Sequence, residues 1–376
     1  MPTLSQDGLA ALAATLRTQR QRIASLRAVA GLDGFIDEMI SVVGERRGLA
    51  DWTALGSMAD LGRIMSAAAG HNSLREIVVR SQDAGGCAVN LGDGLIQLGV
   101  GLDFLGTLGA PRHPAFAPFA ATCRSCSVLG TSYGRTLAFE FEDGKFMFSA
   151  VSQLSEIQPQ VVRGSLADGS FLANCRAATL IALTNWTLYP HMTACWRLLQ
   201  REVFANLDGR PWMLLDLVDP SSRADADIRQ LFETITLFER HCRTVLGLNL
   251  NEAAVLGRLL GMGELGSGAQ ALCARAAAIR KALGISQVVI HNARLNAVAD
   301  AQGELVGEAG PFCQAPRKTT GAGDRFNAGY GLGLMLELPA AERLALGSAA
   351  SGVFIRNARS ATLDEVIAFI DDWARR

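Results

Sequence analysis

The chain has 376 residues, 49% of them hydrophobic and 19% charged, enough for a large core and too apolar for intrinsic disorder. Lys plus Arg number 35 and Asp plus Glu 36, a net charge of −1, so no basic surplus points to nucleic acid and no acidic tail appears. Length alone fits two or three domains, or one α/β domain of about 250–300 residues with an insertion. The longest uncharged stretch, 177–196, contains Asn185, Tyr189, Pro190 and His191, so it reads as strand, turn and helix start rather than a membrane span. The opening MPTLSQDGLA lacks an apolar signal core, and the eight cysteines form no framework beyond the single close pair Cys123 and Cys126. Reduced thiols in a cytoplasmic protein are expected.

Residues 5–26 place Leu9, Leu12, Leu16 and Ile23 near one face, with arginines elsewhere, which predicts an amphipathic helix. It forms an N-terminal extension, 1–27, ahead of a main fold at 28–376. Residues 27–43 (RAVAGLDGFIDEMISVV) read as a strand carrying two acids, Asp33 and Asp37, at its end. A helix is predicted over 51–69 and a strand over 75–82. GGCAVN, at 85–90, precedes an apolar helix and then the strand GLDFLG at 101–106. Residues 131–150 alternate Leu137, Phe139 and Phe141, turn at Glu142-Asp143-Gly144, and resume with Phe146 and Phe148, the pattern of a hairpin. From 177 onward the strands TLIALTN, PWMLLDLV, TVLGLNL and QVVIHNA each precede a helix-like stretch. That rhythm predicts a mainly parallel sheet with helices on both faces. The hairpin and the strands near 39–45 and 76–81 stand outside it and are predicted to form a small second sheet.

The most informative segment is KTTGAGDRF, at 318–326. Gly321, Ala322 and Gly323 make a small-residue bend leading into a helix on which Phe326, Tyr330 and Leu334 repeat every four residues. Backbone amides converging at a helix N-terminus favour an anion, and Asp324 beside them can take a proton from an attacking hydroxyl. A plain N-terminal cap is the alternative reading of the same residues. There is no GxxxxGK[ST], and no GxGxxG follows the first strand, which disfavours a P-loop NTPase and a dinucleotide-binding dehydrogenase. Three further segments add to the pattern. Gly85 and Gly86 allow close approach of a polar ligand, and Asn90 offers a donor and an acceptor. Asp33 and Asp37 suit sugar hydroxyls. Asn249 and Glu252, in NLNE, can orient water around Mg²⁺ near phosphates.

In this order these segments resemble the ribokinase-like (PfkB) family of carbohydrate and nucleoside kinases, over most of 28–370. TTGAGDRF is similar to its C-terminal signature, GGCAVN to its glycine-glycine-x-x-x-asparagine element, NLNE to its NxxE element, and LLDLVDPSSR to its aspartate–proline–arginine stretch. The resemblance implies an α/β fold: a three-layer αβα core with a small β-sheet lid drawn from about 39–82 and 131–150. It implies ATP-dependent phosphoryl transfer to a substrate hydroxyl, with Mg²⁺. By it Asp324 is the base, and the amides of Gly321, Ala322 and Gly323 are the anion hole. Asp37, Asp33, Gly85, Gly86 and Asn90 bind substrate. Asn249, His291 and Thr320 face the nucleotide, and Glu252 with Asn249 holds Mg²⁺ through water. A homodimer through the lid also follows from the resemblance.

Departures from the family pattern are visible. Lys318 stands where the family usually has an aspartate, so weak potassium dependence is expected. His291 and Ala293 replace a threonine–x–glycine phosphate element. Gly31 to Asp37 is one residue longer than the usual spacing, so Asp33 competes with Asp37 for the substrate role. Trp186 reads as a core residue, with stacking on a ligand as the alternative. A sugar kinase, a nucleoside kinase and a catalytically weak sugar or nucleotide sensor remain open on these residues.

Overall fold

The computed structural model describes residues 4–303, 305–308 and 310–376. Strands β1 (Arg27–Leu32), β2 (Phe35–Arg46), β3 (Trp52–Ala54), β4 (Ile77–Gly85), β5 (Gly101–Gly106), β6 (Ser125–Val128), β7 (Gly134–Phe141) and β8 (Gly144–Ala150) fill the first half. Strands β9 (Leu180–Thr184), β10 (Trp212–Asp216), β11 (Arg243–Leu248), β12 (Gln287–Ile290), β13 (Asn296–Asp300) and β14 (Leu305–Glu308) follow. They build two sheets. The larger has the order β14-β13-β12-β11-β10-β9-β1-β5-β6 and is parallel from β12 to β6, with β13 and β14 antiparallel at one edge.

Alternation along β1 explains the layering. Ala28 and Ala30 face a core shared with helices Gln6–Thr18, Cys87–Gln97, Ala322–Met335 and Ala340–Asn357. Val29, between them, faces a second core with helices Met192–Glu202, Asp225–Phe238 and Ala269–Leu283. The result is the expected αβα sandwich. Its central helix, Ala322–Met335, is buried all round from Asp324 onward rather than on one face only. Gly329 and Gly331 permit this: a Cβ at either would lie under 3 Å from Leu346 O or the Leu180 side chain.

The smaller sheet, drawn from the segments expected to form the lid, is ordered β3-β2-β7-β8, and β4 also pairs with β2. Four expectations need correction here. The strand read over 27–43 is two strands, one in each sheet, broken at Asp33-Gly34; a Cβ at Gly34 would lie 2.5 Å from Thr107 O, so only glycine lets the chain leave the core sheet there. The segment at 51–69 is not one helix. Trp52–Ala54 pairs with β2, and the helix begins at Met58, where Ser57 Oγ accepts from Asp60 N. The stretch 287–300 is a hairpin, because Asn292 Oδ1 accepts from the amides of Arg294 and Leu295 and closes a turn. The N-terminal helix ends at Thr18, and a second, Arg20–Ser25, follows. Leu9, Leu12 and Leu16 are buried as the periodicity predicts, each contributing roughly 1.5–3 kcal/mol.

Candidate active site

The site lies at the carboxyl ends of the core strands, where an open parallel sheet presents its crevice. Asp33 sits immediately after β1 and is fully buried. Its Oδ2 accepts from Cys87 N at 2.8 Å and Asn185 Nδ2 at 3.2 Å, and its Oδ1 from Ala88 N at 2.8 Å and Thr184 Oγ1 at 2.5 Å. These bonds occupy the carboxylate and tie it to the N-terminus of helix Cys87–Gln97, an anion site satisfied from within. Burial nevertheless pushes its pKa up. Asp33 therefore braces the helix, and Asp37 is the acid left facing the lid side.

Asp37 lies in β2, in register with Asp83 on β4 and Thr136 on β7. Burial raises its pKa; the Thr136 hydroxyl, Lys318 and Lys145 oppose that, and Asp83 adds to it. Gly85 is required beside it, since a Cβ there would stand 2.3 Å from Asp37 Oδ2. Gly86 has φ +94°, and its Cβ would meet Asp33 Oδ2 at 2.8 Å. The two glycines thus bring Asp37 and Asp33 against the helix start. One turn on, Asn90 Nδ2 donates to Asp324 Oδ2 at 2.9 Å.

Asp324 is 7% exposed and its pKa is raised to about 7, mainly by burial and then by Asp216 and Asp33, against the Arg325 charge and the Asn90 hydrogen bond. Gly321, at φ +86°, caps its helix. The Ala322 amide already donates to Thr319 O at 3.0 Å, so the bend's anion-binding capacity falls to its glycine amides. Gly323 is fixed by His291: a Cβ there would lie 3.0 Å from the imidazole Cε1. The His291 ring packs on Phe326 with centroids 4.9 Å apart. Burial lowers its pKa to about 4, and Nε2 is buried without a hydrogen-bond partner among the described residues.

Beyond the bend lies a cavity of about 670 Å³ walled by Asn249, His291, Phe312, Thr319, Gly323 and Ile355. That volume suits a nucleotide. A second cleft, about 780 Å³, lies between the lid turn 142–145 and residues 316–319. Thr319 lines both, while Thr320 sits half-buried at the start of the bend. Asn249 and Glu252 form a reciprocal capping box on helix Leu250–Leu259, with Oδ1 accepting from Glu252 N at 3.0 Å and Oε2 from Asn249 N at 2.8 Å. Burial, then repulsion from Asp216, Asp219 and Asp324, drives the Glu252 pKa well up. Such mutually repelling acids fit a divalent cation. Among the described residues no group of three or more His, Cys, Asp or Glu side chains is arranged to hold a metal directly. Water and phosphate oxygens would complete the shell of a Mg²⁺ ion.

Sequence reasoning missed Asp216. It ends β10, accepts from Asn327 Nδ2 at 2.7 Å, and has a pKa of about 6 because of burial. An acid closing an otherwise apolar strand was the available signal. Trp186 is a core residue: it is fully buried, its Nε1 donates to Thr193 Oγ1 at 2.8 Å, and Arg223 covers its ring.

Solved kinases share this architecture. A phosphofructokinase-2 mutant from Escherichia coli superposes with TM-score 0.63 at 13% identity, covering 93% of this chain and 99% of that one. Arabidopsis thaliana ribokinase, complexed with ribose and ATP, gives TM-score 0.61 at 17% identity, covering 92% and 98%. Fold and site together define a ribokinase-like carbohydrate kinase, a phosphotransferase with an alcohol acceptor. The model of the prokaryotic ketohexokinase family matches residues 5–373, and the chain belongs to that family. The ketohexokinase of Haloferax volcanii is 27% identical over 360 residues, 93% of this chain and 92% of that protein.

Proposed function

We propose that the chain moves the γ-phosphoryl group of ATP to a hydroxyl of a ketohexose. The observation that carries the chemistry is Asp324: a buried carboxylate with a pKa of about 7, held by Asn90 and directly following Gly323, which lines the nucleotide-sized cavity. A base poised near the working pH is suited to accept the alcohol proton as the oxygen attacks. Asp37 and Asn90 hold the sugar hydroxyls, with Asp33, Gly85 and Gly86 shaping that wall. The amides of Gly321 and Gly323 receive the equatorial phosphoryl oxygens. Asn249, His291 and Thr320 border the nucleotide, and His291, neutral at pH 7, adds no charge there. Asn249 and Glu252 are the residues suited to orient the water shell of Mg²⁺, which when bound neutralises phosphate charge.

The name of the Haloferax volcanii relative supports a ketohexose over a nucleoside. A pure sensor has no use for a base tuned in this way. The lid face carrying Ile77, Phe146 and Phe148, each 46–52% exposed, borders an apolar groove of about 660 Å³ and supports pairing of two copies through the lid. No helix among the described residues is long and apolar enough to cross a membrane. The eight free thiols support a cytoplasmic setting. The test is ADP release with ATP and Mg²⁺ over a panel of ketohexoses, aldohexoses, pentoses and nucleosides. Fructose or another ketohexose is expected to give the highest kcat/KM; a nucleoside in that place overturns the substrate assignment.

A further inference from the structure

Arg325 directly follows the acid of the bend, and its side chain is only 10% exposed. A guanidinium is costly to bury unless its donors are matched. Two of its nitrogens are matched here. Nε donates to Ser360 Oγ at 2.9 Å, and Nη2 approaches Asp93 Oδ2 at 3.4 Å. Ser360 Oγ in turn donates to the same Asp93 oxygen at 2.5 Å, and the Phe354 ring lies 4.5 Å from Cζ. The clamp fixes the plane of the group.

The third nitrogen points at the bend. An ideal Cβ at Gly321 would lie 2.6 Å from Arg325 Nη1 and 3.2 Å from Asn90 Nδ2, the nitrogen that holds Asp324. The missing side chain of Gly321 therefore leaves a gap where guanidinium, amide and the bend meet. Helix Cys87–Gln97 supplies both the Asn90 amide and, one turn later, the Asp93 half of the clamp. Lysine could not serve both ends, because one ammonium cannot reach the clamp and the gap in a fixed plane.

We propose that Arg325 is the built-in cation of the transfer site, balancing the phosphoryl charge at the bend and holding Asp324 in its ionised form, with Asp93 and Ser360 as its clamp. The inference rests on the kinase reading above. The charged and titratable groups facing Asp324 are Asp33 from the end of β1, Cys87 from helix Cys87–Gln97, Asp216 from β10 and Glu252 from helix Leu250–Leu259. Against these acids Arg325 is the cation.

The experiment compares Arg325→Met, Arg325→Lys and Ser360→Ala with the parent in kcat, in both KM values and in the pH profile. R325M is expected to lower kcat about 100-fold, to leave the KM for ATP within threefold, and to move the acidic limb upward by about one pH unit. R325K recovers at least tenfold of the loss, and S360A falls between parent and R325M. R325M within threefold of the parent, with an unmoved limb, overturns the proposal. So does an S360A enzyme equal to the parent in both readouts if R325M fails to fold. Calorimetry with inorganic phosphate reads the cation without turnover: affinity falls at least fivefold in R325M, and equal affinity overturns the proposal. A parent that releases no ADP with any sugar sinks the kinase reading alone, and the phosphate titration still decides Arg325.

Discussion

Asn90 and Asp324 meet across 234 residues of chain, the side-chain amide donating to the carboxylate at 2.9 Å. The contact joins the helix that starts at the two glycines of the substrate wall to the helix that starts at the phosphate bend. On the reading proposed above, this contact brings acceptor hydroxyl and phosphoryl group to one point, and positioning of this kind accounts for much of the barrier reduction in phosphoryl transfer.

The raised pKa of Asp324 gives a direct pH prediction. The folded value, about 7, exceeds the ordinary 3.8, and the active form is the carboxylate. Activity therefore falls as pH drops through 7, with an acidic limb in kcat/KM near that value. A profile flat from pH 5.5 to 8 excludes Asp324 as the titrating base. The linked stability has the opposite sense. The protonated carboxyl favours the fold fully below pH 3.8, and that contribution fades between about 4 and 7, a change on the order of 4 kcal/mol. Thermal denaturation of Asp324→Asn should show a gain over the parent at pH 8 that shrinks at pH 5.

Gly85 is predicted to govern the sugar and not the nucleotide. Alanine there places a Cβ 2.3 Å from Asp37 Oδ2 and forces that carboxylate to move. Gly85→Ala should raise the sugar KM at least tenfold while the ATP KM stays within twofold. Equal rises in both, from initial-rate kinetics, would detach Asp37 from the substrate.

How far this site could be read from sequence depends on what each residue answers to. The strands β9 to β12 were legible because buried parallel strands are short apolar runs, and the bend was legible because converging amides need small residues. The Asp33-Gly34 break was hidden, since both halves carry strand-like residues and only Thr107, far along the chain, forces the exit. The division of labour between Asp33 and Asp37 was hidden for a similar reason. It is set by Thr184 and Asn185, which take up the Asp33 oxygens from a distant strand end. The Arg325–Asp93–Ser360 cluster joins the first turn of helix Ala322–Met335, the middle of helix Cys87–Gln97 and the loop after helix Ala340–Asn357, and no local pattern announces it.

Glu252 is predicted to act on the metal requirement. Glu252→Gln retains a carbonyl oxygen for the Asn249 amide, so the capping box survives while the charge is lost. The Mg²⁺ concentration for half-maximal rate should rise severalfold; an unchanged magnesium titration removes Glu252 from the metal's surroundings.

Lys318 lines the lid cleft and its charge reaches Asp37. We take its ammonium to supply the positive charge that a monovalent ion would bring there. Exchanging sodium for potassium at constant ionic strength should change kcat less than twofold, and a tenfold activation by potassium would contradict this.

Single-turnover phosphoryl transfer by Asp324→Asn, with ATP affinity measured in parallel by calorimetry, reads the proton-accepting step itself. The expected result is a rate lowered 10²–10⁴-fold with ATP affinity within threefold of the parent. A rate within threefold of the parent would contradict the assignment of this buried carboxylate as the group that frees the sugar oxygen to attack.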